Sequence, residues 1–211
     1  MGSEKRKFNM TTASHGHPLD EVVSALQKEI RRGKEREALY WAVEMLPNYE
    51  AYLWRRLKII ANEDIGVANP IAIILVEILE KQYFEFRKKP TTDSMLMLTN
   101  AVMYLCRSKK TREGCHLVNI IQQIFSQNLE PGKKPPDYAI DEHTKKGRKI
   151  GRGDAHFREE GALLIQDDGE PTPKDQYEDE CYKILKNGVK WFYNDSAMKN
   201  YQNRSLDFKE R

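Results

Sequence analysis

The chain has 211 residues, 39% hydrophobic and 32% charged, which is enough for one well-cored domain with an appendage. Lys and Arg number 35 against 32 Asp and Glu, so the formal charge of +3 does not announce a nucleic-acid partner, and any such role must rest on local clusters. Cys106, Cys115 and Cys181 form no CxxC pair, the charged start Met1–Met10 has no apolar signal core, and the longest near-apolar run, Pro70–Leu79, is too short to span a bilayer, so a cytoplasmic protein without membrane attachment is expected.

Residues 1–17 open the chain, and the first fourteen are polar and without periodicity, as in a disordered start. Pro18 and Asp20 then begin a helix with Val22, Val23, Leu26 and Ile30 at 3–4 spacing, which stops at Gly33. A second helix fits Arg36–Leu46, with Leu39, Tyr40, Val43 and Leu46 on its apolar face. The third fits Tyr49–Glu63, where Leu53, Leu57, Ile60 and Ala61 make the buried stripe. Gly66 breaks the chain, and Asn69-Pro70 reads as cap and first turn of a fourth helix, Pro70–Lys88, whose first half is apolar nearly all round and is expected to be central. Thr92-Asp93 caps a fifth, Ser94–Cys106, and Thr111 a sixth, Arg112–Asn128, in which Val118, Ile121 and Phe125 recur at helical spacing. No alternating strand pattern occurs.

After Leu129 the texture changes. Pro131, Pro135 and Pro136 mark a turn, and residues 129–173 form a Pro, Gly and basic segment expected to pack on or beside the helical body at 18–128. An amphipathic segment at 174–193, with Tyr177, Cys181, Ile184, Leu185, Val189 and Trp191-Phe192, reads as a docking helix, and 194–211 as a flexible tail. The fold expected is all-α, a bundle of about six helices with an irregular basic segment and a C-terminal docking helix.

Catalytic signatures are missing: no GxxxxGK[ST], HExxH or GxSxG is present. Asp141, His143, Asp154 and His156 offer metal-ligand chemistry of the sort a metal-dependent phosphoesterase uses. The intervening Lys and Arg repel a divalent cation, however, and favour histidines that satisfy local hydrogen bonds. His116, Cys106 and Cys115 read as packed core residues, and no cofactor is implied. Two basic clusters stand out. Lys145, Lys146, Arg148, Lys149 and Arg152 place five cations in eight residues among Gly147 and Gly151. Lys28, Arg31, Arg32, Lys34 and Arg36 surround the first helix–helix turn. Both suit phosphate contact as well as a solvated face. Tyr40, Trp41, Tyr52 and Trp54 suggest base stacking, but their register favours core packing.

Residues 37–72 read EALYWAVEMLPNYEAYLWRRLKIIANEDIGVANPIA. Tyr40 and Trp41 in the ALYW stretch, Arg55, Arg56, Glu63, Asp64 and Gly66 in the RRL and EDIG stretches, and Pro70 beyond them resemble the C-terminal helical region of the RarA/MgsA family. These are AAA+ replication-associated recombination ATPases that include the Werner-helicase-interacting protein. Residues 101–110 resemble the family's next element, though without its Asn, and HTKKGRKIGRGDAH echoes the family's closing Lys-rich helix and Gly turn. The resemblance covers Leu19 to Phe157. It implies an all-α, clamp-loader-collar-like domain that forms a homo-oligomer, a tetramer in the family, and that works in DNA replication, repair or recombination. The family's ATPase module has no counterpart here, which leaves a stand-alone relative of the kind a phage encodes, or a piece of a longer protein.

The function expected is therefore a non-catalytic oligomerisation module contacting single-stranded or forked DNA, or replisome and recombination proteins, through Lys145, Lys146, Arg148, Lys149, Arg152, Arg31, Arg32 and Lys34. The alternative is a pure protein assembly module without DNA binding.

Overall fold

Residues 14–46, 48–87 and 92–186 are described by a computed structural model of the chain. Among them the regular structure is helical, with one isolated antiparallel bridge between Ile165 and Pro171 and no strand. Contacts divide the chain into two units, Met1–Gly132 and Lys133–Arg211. The expected disordered start, the tail, and Val189, Trp191 and Phe192 of the docking segment lie outside the described residues.

In the first unit, α1 (Leu19–Arg31) buries Leu19, Val22, Val23, Leu26 and Ile30, with Asp20 and Glu21 in its first turn and Lys28 and Arg31 in its last, matched to the helix dipole. It packs against α2 (Glu35–Glu44) and α5 (Thr92–Arg107). Helix α3 (Glu50–Ile60) buries Leu53, Trp54, Leu57 and Ile60, and α4 (Ile71–Phe86) pairs with α5. Each large core side chain such as Leu26, Leu53 or Leu105 stabilises the fold by about 1.5–3 kcal/mol through burial. Ahead of α1, His15 donates its backbone N–H to Oε1 of the buried Glu44 (2.9 Å) and sets its ring Nδ1 2.7 Å from Oε2. That contact ties the start of the described chain to the end of α2.

Several expectations are corrected. Helix α2 buries Ala38 and Ala42, with Met45 just beyond it, rather than a Tyr40 and Val43 face, and Tyr40, Val43 and Tyr52 are exposed. Helix α2 packs on α1 and α5, while Tyr40 lies on His15 (6.4 Å) and edge-on to Trp41 (5.1 Å). Asn69 does not cap α4 with its side chain; the amide donates instead to Tyr104 Oη (3.3 Å) and Ser108 Oγ (3.0 Å) of α5 and the turn after it. Helix α4 is buried only on one side, with Ile71, Ile74 and Ile78 exposed along the other. Helix α6 (Glu113–Gln127) is almost wholly exposed, and His116 with it, so that histidine is not a core residue. Cys106 is buried as expected, whereas Cys115 is half-buried and accepts from Arg112 Nη2 (3.4 Å).

The tightest polar knot sits where α3 ends. The chain widens into a π turn at Ala61–Ile65, which brings Asp64 into the core, 1% exposed. Its carboxylate accepts from Gln27 Nε2 (2.8 Å) and Arg31 Nε (2.8 Å), and its carbonyl accepts from Thr111 N (3.0 Å). Glu63 beside it accepts from Arg31 Nη2 (3.1 Å) and Arg112 Nη2 (3.3 Å), and Arg56 Nη2 donates to Gln27 Oε1 (2.7 Å). One turn thereby joins α1, α3 and the root of α6.

Removing the Asp64 carboxylate leaves the buried Gln27 and the half-buried Arg31 with one acceptor fewer. Asp64→Ala is expected to cost about 3 kcal/mol, read as a lowered midpoint in urea unfolding. Burial also pushes the Cys106 thiol up from 9.0 to about 11. The protonated thiol therefore supports the fold fully below pH 9, and that contribution is lost as pH rises from 9 to about 11. Iodoacetamide at pH 8 is expected to alkylate the exposed Cys181 and then Cys115 well before Cys106, followed by intact-protein and peptide mass.

Candidate functional site

The second unit holds the stretch with the highest density of cations. Asp141 organises its entry: Oδ1 accepts from His143 N (2.9 Å) and Oδ2 lies 3.2 Å from His143 Nδ1, while the His143 ring meets Phe157 edge-on at 4.8 Å. Burial acts to raise the Asp141 carboxyl, but the combined His143 contacts outweigh it and hold the group below the usual carboxylate range. Thr144 then caps the short helix α7 (Lys145–Lys149), its Oγ1 accepting from Gly147 N (2.9 Å). Gly147 is buried against the Asp141 carbonyl, and a Cβ there would fall 1.7 Å from that oxygen. The helix closes with Gly151 N donating to Arg148 O (3.2 Å) and Arg152 N donating to Gly147 O (3.0 Å). This is a Schellman closure with Gly151 at φ +78°.

That closure sorts the five cations. Arg152 turns inward, donating from Nη1 to the carbonyls of Asp137 (2.7 Å) and Ile140 (2.6 Å) and from Nη2 to the Asp137 carboxylate. Arg148 donates to Glu142 O (2.9 Å). Lys145, Lys146 and Lys149 are exposed and form no ion pair among the described residues, and their spacing on the helix places all three within about one quadrant of its surface. Beyond α7, helix α8 (Asp154–His156) continues into a π turn at Phe157–Gly161, and Arg158 lies over the ring of Tyr182 in α9 (Glu178–Lys186) at 3.8 Å.

In the first unit, Arg31 is held by Glu63 and Asp64, and Lys34 lies 3.6 Å from Glu29, while Arg32 is exposed and donates to Lys28 O (3.0 Å). An open groove of about 580 Å³ runs between α3 and the base of α6, lined by Arg55, Lys58, Ile59, Glu63, Cys115 and Val118. Contacts with Glu80 and Glu77 raise the Lys58 ammonium above its ordinary range. Among the described residues no group of three His, Cys, Asp or Glu side chains is placed to hold a metal ion, and no helix is long and apolar enough to cross a membrane. The family-motif residues divide by role. Arg56, Glu63 and Asp64 belong to the polar knot, Gly66 and Pro70 make the corner into α4, Tyr40 and Trp41 pack on each other and on His15 and His17, and Arg55 is exposed. The bare apolar face of α6 escaped sequence reasoning, although the uncharged run from Gly114 to Leu129 is its signal.

A family model described as MgsA AAA+ ATPase C terminal matches residues 34–199. The chain is similar to the replication-associated recombination protein A of Bacillus subtilis, 29% identical over 157 residues that make up 71% of this chain and 34% of the relative. The protein of the same name from Haemophilus influenzae is 25% identical over 147 residues, 69% of this chain and 30% of the relative. That of Escherichia coli K12 is 26% identical over 145 residues, 65% of this chain and 30% of the relative. The chain thus spans about a third of the length of these relatives.

Gly147→Ala cannot be accommodated without moving the Asp141 carbonyl, so it is expected to open the cap and the closure of α7 together at a cost of about 2–4 kcal/mol. Hydrogen exchange reads this out: the amides of Gly147, Ile150 and Arg152 are expected to lose protection while those of α3 keep it.

Proposed function

The chain belongs to the MgsA AAA+ ATPase C-terminal family, and from that premise we propose that it acts in the cytoplasm as a non-catalytic helical module that self-associates and contacts DNA in replication and recombination. The observation that carries the DNA part is the single-quadrant face of Lys145, Lys146 and Lys149, three cations without an ion-pair partner among the described residues. Arg32 and Lys34 supply a second, smaller set of exposed cations, and Arg148 keeps donors beyond the one directed at Glu142. Arg31 and Arg152 are engaged by carboxylates and carbonyls, so the phosphate-contacting set narrows to the other six. Lysines held on a short helix with no planar partner recognise phosphate as charge rather than as geometry. The contact is accordingly one to a nucleic-acid backbone, indifferent to base sequence.

A second reading, an assembly module that meets only protein, is favoured by the exposed apolar faces of α4 and α6. Its partners would be replisome or recombination proteins, or further copies of the chain, with the tetramer of the related family as the expected assembly.

Light scattering with and without single-stranded DNA tests both parts. The chain alone is expected to run larger than a monomer, and DNA to add mass at low salt. Replacing Lys145, Lys146 and Lys149 by Ala is expected to weaken binding of single-stranded or forked DNA, and to lower the slope of log K against log salt by about 2, given roughly 0.7 per phosphate contact. Absence of binding by the intact chain at low salt leaves the protein-only reading in its place.

A further inference from the structure

We propose that the apolar face of α6 is a homotypic interface, met by α6 of a second copy in an antiparallel, two-fold arrangement centred on Ile121. The inference rests on the self-associating half of the proposed function and names its surface. Leu117, Val118, Ile120, Ile121 and Phe125 are exposed on this helix, Phe125 at 82%, and Ile124 among them is half-buried. The helix is anchored at its root, where Thr111 N donates to Asp64 O and Arg112 reaches Glu63. A 15-residue helix is marginal in water unless an apolar face is covered, so these side chains need a cover.

Charge and shape select the occupant. From Gly114 to Leu129 there is no Asp, Glu, Lys or Arg, so nothing on the face attracts a nucleic-acid backbone or a charged peptide. Nor does anything on it repel its own copy. Gln122 and Gln127 flank it with neutral donors and acceptors. The apolar positions 117, 118, 121, 124 and 125 are spaced symmetrically about 121. A two-fold axis there sets Leu117 against Phe125 and Val118 against Ile124 of the other copy, an isologous contact. The uncovered side chains amount to roughly 600 Å² per copy, or about 1,200 Å² for the pair, at the lower edge of specific interfaces.

The test uses the full chain in two forms. Ile121→Glu puts two carboxylates at the axis and is expected to weaken self-association about ten-fold or more by light scattering, with the helical circular dichroism retained. In a Cys115→Ser, Cys181→Ser background, Ile121→Cys is expected to form a disulfide-linked dimer on mild oxidation, since only residues at the axis bring Cβ atoms within about 4.5 Å. Asn119→Cys, on the opposite side of the helix, is expected not to. An oligomer that survives Ile121→Glu, or equal cross-linking by the Ile121→Cys and Asn119→Cys variants, overturns the α6 interface and leaves the proposed function standing. A strictly monomeric intact chain overturns the interface and the self-associating half of that function together.

Discussion

The first unit depends on the buried carboxylate of Asp64. Asp64 is placed inside by an extra residue in the last turn of α3, and a charge taken out of water is tolerated only when donors replace the solvent. Gln27 and Arg31 come from α1 to do this, and the Asp64 carbonyl on the same residue fixes Thr111 at the root of α6. The demand of a single carboxylate for partners therefore sets the register of α1 against α3 and the point from which α6 leaves the body. It also removes Arg31 from the pool of cations that a phosphate could meet.

Much of this architecture is legible in the amino-acid order. Leu53, Leu57, Ile60 and Ala61, or Val22, Leu26 and Ile30, recur every three to four residues, and all are buried because the same chain supplies the surface they face. Periodicity is weaker on α2, where Ala38 and Ala42 are buried and the conspicuous Tyr40 and Val43 stay outside. Volume and aromaticity there suggest a core that smaller side chains form instead. For α4 and α6 the sequence places Ile71, Ile74, Ile78, Ile121 and Phe125 at helical spacing, yet all five are exposed. It carries no mark to say whether the cover is this chain or another molecule.

The basic stretch shows the same limit from the side of charge. Five cations in eight residues read as one patch, yet Arg152 is directed back to the carbonyls of Asp137 and Ile140, more than ten residues earlier. What turns it is a backbone event, the left-handed Gly151 that reverses the chain after α7, and composition alone does not carry that direction. Chemistry is consistent with the division. The planar fork of an arginine satisfies several carbonyls at once, whereas a lysine ammonium is a strongly hydrated point charge that gains little from such a site and is left at the surface.

Two surfaces of opposite character follow, an uncharged apolar helix face and a lysine face, and ionic strength separates them. Contacts between lysine and phosphate owe their free energy largely to released counterions, so they weaken steeply as salt rises. Burial of Leu117, Ile121 and Phe125 releases water rather than ions and is unaffected or strengthened by the same change. Assembly built on the apolar face, as proposed, would therefore persist under conditions that empty the lysine face. Under the proposed function, a nucleic acid would be gained or lost without a change in the subunit contacts. If the lysines contact DNA as proposed, they supply attraction without base recognition, and selectivity among DNA structures then comes from how many such faces an assembly presents at once.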